Sequence, residues 1–240
     1  MPDQTKVRGV ADIVFLLDAT GSMSPCIDAL RRNIATFVQS LTNRDGQNPC
    51  PVKDWRARVV AYRDYTDSAA PPLIDNSFVR STEEIERQLS GVEATGGGDE
   101  PESLLDALYL MATVGQTERG AKAEDPKKWR HRSEAARVVI VFTDASFHPT
   151  MSIPQAKGGT IDDVVTVVHS NRLILSVFAP VFPCYEALSQ IDKSEWMGIE
   201  HESSGPAEAL AVFTSNQEQF KQTLRQLAAS VSASAAVLED

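Results

Sequence analysis

Two apolar runs that each end in an acid most constrain what this chain can fold into. Ile13–Leu17 (IVFLL) leads without a break into Asp18, and Val138–Phe142 (VVIVF) leads through Thr143 into Asp144. An unbroken apolar strand reads as one covered on both faces. Further strands are expected at 57–65 (ARVVAYRDY) and 172–181 (RLILSVFAPV), with a weaker, more polar edge candidate at 195–203. Between them lie helical patterns. Residues 24–42 place Ile27, Leu30, Ile34, Phe37, Val38 and Leu41 at three- and four-residue spacing, an amphipathic helix. Ser81 and Glu84 form a capping box before a short helix over 81–92. A glycine-rich loop, TGGGDEPES (95–103), opens a helix carrying Leu104, Leu105, Leu108 and Met111. Phe220, Leu224, Leu227 and Val231 mark a closing helix, expected to fade in the Ser/Ala-rich end. Alternating strands and helices predict one α/β domain over 1–240: a doubly wound, mostly parallel, Rossmann-like sheet with helices on both faces. The core spans about 12–231, and the polar segment 116–135 reads as an insertion or long loop.

Composition narrows the function. The net charge is −10 over 240 residues, which argues against nucleic acid or an anionic membrane as partner. The three cysteines, Cys26, Cys50 and Cys184, are distant and show no CxxC spacing. They read as reduced thiols rather than a disulfide or zinc framework. The amino-terminal stretch has no apolar signal-peptide core, and no run is long enough to span a bilayer. A cytoplasmic location is therefore expected.

The acids at the strand ends carry the chemistry. In a doubly wound sheet, ligands bind outside the carboxyl ends of the strands. Asp18 and Asp144 sit at such ends, and Asp99, Glu100 and Glu102 lie in the glycine-rich loop. Gathered carboxylates repel one another unless a cation neutralises them. Asp, Ser and Thr oxygens suit Mg2+, Mn2+ or Ca2+ rather than zinc. In DATGS, Asp18, Thr20 and Ser22 alternate so that three oxygens can converge.

At these residues the chain resembles the von Willebrand factor A domains. DATGSMS is similar to the Asp-x-Ser/Thr-x-Ser signature of their metal ion-dependent adhesion site, and VVIVFTDASFH to the strand that delivers the final aspartate. GGGDEPES resembles the Asp-x-Pro-Glu loop of the integrin β I-like domain. The resemblance implies Mg2+ held by the Thr20 and Ser22 hydroxyls, with Asp18 and Asp144 acting largely through water or through hydrogen bonds to the ligands themselves. Glu102 takes the second-loop position, Asp99 is the next candidate there and Thr95 the third. It also implies a second cation at Asp64, Asp99, Glu102 and the Pro101 carbonyl. A rim for a partner would fall at Met23, Ser146 and His148. The implied function is cation-dependent binding of a protein whose Asp or Glu completes the site. The resemblance suggests an intracellular bacterial protein, a scaffold or sensor beside an ATPase, kinase or phosphatase, as in stress and defence systems.

Plainer readings stand beside these. Thr20 or Ser22 could cap a helix, and Glu102 could be a first-turn acid favoured by the helix dipole. The cluster Lys127, Lys128, Arg130, His131 and Arg132 reads as a solvated loop. Trp129 and Trp196 fit either surface or core. An extracellular adhesin shares the expected site. A Mg2+-dependent phosphohydrolase with Asp18 as nucleophile is the enzymatic alternative, but Thr20 stands where its general acid would be and no lysine follows Asp144 before Lys157. Turnover is therefore not expected.

Overall fold

A computed structural model describes residues 9–42, 51–66, 71–97, 100–201 and 205–236. Six strands form one sheet: β1 (Val10–Asp18), β2 (Asp54–Tyr62), β3 (Leu73–Asp75), β4 (Ala136–Phe142), β5 (Leu173–Pro180) and β6 (Glu195–Ile199). Their spatial order is β3-β2-β1-β4-β5-β6. All neighbours run parallel except β3, which is antiparallel to β2. The chain leaves β1 for β2 on one side and later returns to β4 on the other. The order therefore reverses at β1, and the crevice above the carboxyl ends of β1 and β4 is the topological switch point.

The helices are α1 (Ser24–Thr42), α2 (Thr82–Ser90), α3 (Leu104–Thr113), α4 (Ile161–Ser170), α5 (Pro206–Ser215) and α6 (Gln217–Ala236). Strand alternation splits the core into two layers. Ile13, Phe15 and Leu17 of β1 face α1, α2, α5 and α6, whereas Val14 and Leu16 face α3 and α4. Covering both faces is what the unbroken apolar runs demanded.

Several expectations need correction. The helix α6 does not fade: it runs to Ala236, with Ser232 and Ala235 buried. The segment 116–135 is irregular but is no free insertion. It is pinned by a Gln116–Trp129 bridge, and Trp129 is buried with its indole N–H donating to the Met111 carbonyl at 2.8 Å. Arg130 is not solvated. It is 6% exposed and donates to Asp12 at the start of β1 from both its backbone N–H (2.6 Å) and Nε (2.7 Å). Helices α4 and α5 and strand β3 were not anticipated. Trp196 is half-buried in β6, the edge strand. Of the cysteines, Cys26 and Cys184 are free, and Cys50 lies outside the described residues.

Candidate metal centre

Three loops meet above β1 and β4. The first follows β1. The Asp18 carboxylate is fully buried, and it organises this turn. Its Oδ1 accepts from the Thr20 backbone N–H at 2.9 Å and the Thr20 hydroxyl at 2.7 Å. Its Oδ2 accepts from the Thr143 hydroxyl at 2.8 Å. With its proton given to Asp18, the Thr20 oxygen keeps lone pairs for another partner. A short 3-10 turn, Gly21–Met23, then leads directly into α1. Neither Thr20 nor Ser22 acts as a side-chain cap of that turn: Thr20, at its N-cap, makes no capping bond, and the Ser22 hydroxyl lies near Asp144, where it favours the charged carboxylate.

The second loop, which precedes α3, is tied to the first by two backbone bonds: Thr95 N–H to the Ala19 carbonyl and Gly21 N–H to the Gly96 carbonyl, both 3.0 Å. Gly97 has φ +75°, and a Cβ there would lie 2.7 Å from the Thr20 Cβ and 3.1 Å from Glu102 Oε1. Only glycine lets the loop carry Glu102 this close to Thr20. The third loop follows β4. Glu102 pairs with it through its own N–H to the Ser146 carbonyl and its carbonyl from the His148 N–H, both 3.0 Å. Glu100 Oε1 accepts from the Ser146 N–H at 3.0 Å.

The result is an open cavity of about 230 Å3 bounded by Thr20, Ser22, Gly97, Glu100, Glu102 and Asp144, with Pro206 and Ala207 of α5 at its mouth. None of its described lining residues is basic. The electrostatics record the deficit. Desolvation raises Asp18 to about 6 against its Thr20 hydrogen bonds, and the Asp144 charge adds to the rise. Asp144 is also raised, by burial first and then by the Glu100 charge, although the Ser22 hydroxyl opposes the shift. Asp144 Oδ2 is buried with no hydrogen-bond partner. A hard cation fits this donor set: hydroxyl and carboxylate oxygens, one of them buried and unmet, with no competing positive side chain among the described lining residues.

The sequence-derived residues therefore divide. Asp18, Thr20, Ser22, Glu102 and Asp144 converge. Thr95 contributes its backbone N–H to the loop tie, and Asp99 lies outside the described residues. Asp64 is differently placed. It accepts from the Thr66 N–H (2.8 Å), the Thr66 hydroxyl (2.6 Å) and the Ser103 hydroxyl (3.0 Å), and His148 Nε2 approaches at 3.3 Å. Burial pushes Asp64 up, but these bonds outweigh it and hold the carboxyl below its ordinary range. Its charge is met by protein donors, which does not favour the second cation expected at Asp64 and Pro101. Met23, expected at the rim, has no exposed surface and belongs to the core. Ser146 and His148 are partly exposed. Thr143 and Pro206 were missed, and Glu100, read only as one of the loop acids, lines the cavity as well. The Gly205-Pro206 pair, a helix-start signal, was the readable clue for Pro206.

Among the described residues, no helix is long and apolar enough to cross a membrane. A family model, von Willebrand factor type A domain, matches residues 12–228. The chain is 30% identical over 170 residues to an alpha-protein kinase, vwkA, of Dictyostelium discoideum, covering 68% of this chain and 24% of that protein. It is 31% identical over 98 residues to a putative ariadne-like RING finger protein, R811, of Acanthamoeba polyphaga mimivirus, covering 40% of this chain and 9% of that protein. The chain thus spans a quarter or less of these relatives' length. Sheet order, switch-point site and matched length agree: this chain belongs to the von Willebrand factor type A domain family, whose members generally serve as protein–protein interaction modules.

Proposed function

We propose that this domain binds a protein partner through a divalent cation, with Mg2+ the natural occupant and Mn2+ or Ca2+ as substitutes. The observation that carries this is the buried Asp18–Asp144 pair beside two hydroxyls, in a cavity with no basic side chain among its described lining residues. Thr20, Ser22 and Glu102 offer oxygens to the ion. Asp18 orients the Thr20 hydroxyl and Asp144 orients that of Ser22, and both lower the local potential. Bound there, the ion supplies a positive charge that an Asp or Glu of the partner can complete. Nothing in this needs a bond to break. Asp18 is fully buried with both oxygens accepting hydrogen bonds, which supports a positioning role over that of a nucleophile.

The wider role we propose is a cytoplasmic scaffold or sensor within a larger assembly. The alpha-kinase named among the relatives supports a kinase as the kind of activity such a domain accompanies. A bacterial stress or defence setting rests on the sequence resemblance alone.

Calorimetric titration of Mg2+ into metal-stripped protein tests the reading. One site is expected, lost in Asp18→Ala and in Glu102→Ala while both stay folded. If wild type takes up neither Mg2+ nor Mn2+, the cation-dependent mechanism is wrong.

A further inference from the structure

A second cavity, about 290 Å3, lies at the opposite end of the sheet, where β4 and β5 begin. It is lined by the cations Arg132, Arg137, Arg172 and Lys193, with His169 and a single acid, Asp192. On a chain of net charge −10, this is a local excess of positive charge.

Arg137 is the informative member. It is on a strand and only 2% exposed. Its Nη1 donates to Gln116 Oε1 at 3.2 Å, but Nε and Nη2 are buried without a hydrogen-bond partner. Unmet guanidinium donors are costly to bury. The neighbouring carboxylate, Asp12, already accepts from Arg56 and Arg130. Burial, and then the charges of Arg132 and Arg172, push Arg137 down to about 10 against the pull of Asp12, so it remains a cation at neutral pH. Favourable placement near the end of α4 accounts for His169 and Arg172, but not for a buried arginine at the start of β4. Arg172 (φ 50°) and Lys193 (φ 62°) are also the two non-glycine residues with positive φ among those described, a conformation that costs energy and collects at functional sites.

We infer that this cavity binds a phosphate monoester of a small molecule: its phosphate would meet the fork of Arg137 with Lys193 beside it, and its organic part the apolar walls of Leu173, Ile174 and Ile191. The planar guanidinium matches the phosphate oxygens in pairs. The walls leave room beyond the phosphate itself. This site is independent of the cation centre.

The test is calorimetry with inorganic phosphate, glycerol phosphate and adenosine monophosphate, at constant ionic strength and with chelator present so that the acidic cavity stays out of play. Saturable one-to-one binding is expected, weakened about tenfold in Arg137→Gln and in Lys193→Gln and unchanged in Lys157→Gln, which lies outside the cavity. Tighter binding of either ester than of inorganic phosphate identifies the ester as ligand. Equal affinity identifies free phosphate as sufficient and overturns the role given to the apolar walls. If Arg137→Gln fails to fold, the exposed Lys193 decides. No saturable binding of any of the three, or binding unchanged in Lys193→Gln, overturns the proposal.

Discussion

Strand β1 carries one buried carboxylate near its start and another at its end, and the two are opposites. Asp12 and Asp18 each have 0% exposure. Asp12 is gripped by Arg56 through both oxygens (2.8 and 2.7 Å) and by Arg130 at 2.7 Å. Those arginines reach on to carbonyls, Asp54 and Glu124. Among the described residues no cationic side chain pairs with Asp18: its donors are a backbone N–H and two threonine hydroxyls, and its charged neighbour is Asp144. Burying a charge is tolerable when it is paired. One end of the strand therefore carries its counter-charge within the chain. On the proposed reading, the other end leaves a place for a charge from outside. The difference between a structural acid and a binding acid lies in what faces it, not in how deeply it is buried.

The sharpest way to break this comparison is to empty the paired end. Asp12→Ala leaves Arg56 and Arg130 buried without their shared carboxylate and is expected to cost about 3–5 kcal/mol in urea unfolding. A loss below about 1 kcal/mol would mean that the arginines re-pair elsewhere and that the amino end is not built around Asp12.

The unpaired end should respond to pH. Asp18 has a folded-state value of about 6 against 3.8 unfolded, so the folded chain holds this proton more tightly. Its favourable contribution is present below about pH 4 and is lost as pH rises through about 6, a difference of about 3 kcal/mol. Metal-free wild type should fall behind Asp18→Asn by about that amount across the window in chemical denaturation. Saturating Mg2+ should remove the deficit, and its affinity for wild type should rise with pH as protons stop competing. Parallel pH profiles for the two proteins would contradict the account.

Gly97→Ala sharpens the geometry. The added Cβ meets Thr20, and alanine at φ +75° is strained, so a loss of about 1–3 kcal/mol is expected together with weakened cation binding. Loss of stability with unaltered Mg2+ affinity would place the second loop outside the site. The smallest effect belongs to Glu102→Gln. Its backbone ties to Ser146 and His148 survive, so melting should barely change while Mg2+ affinity falls about tenfold. Unchanged affinity would shift the second-loop oxygen to another residue.

The sequence made legible whatever depended on local pattern. Strands β1, β2, β4 and β5 and helix α1 follow from apolar runs and three-to-four spacing, and the convergence of Asp18, Ser22 and Asp144 follows from strand ends on a parallel sheet. Helix α4 was hidden by its composition. Val164, Val165, Val167 and Val168 favour strand over helix, and only the reciprocal Thr160–Asp163 bonds mark its start. Strand β3 is three residues long and antiparallel, too short for any period. Arg130 in a run of basic residues looked solvated because its partner, Asp12, is 118 residues away. Non-local pairing of that kind leaves no local trace. The same holds for Thr143, whose hydroxyl reaches back 125 residues to Asp18.

The most direct measurement is anomalous diffraction from crystals soaked in Mn2+. A peak is expected between the Thr20 and Ser22 hydroxyls, about 2.2 Å from each, with Asp144 on its protein side and its open side toward Pro206. A peak at Asp64 or Asp12 instead, or none in crystals that tolerate the soak, would contradict the proposed cation site.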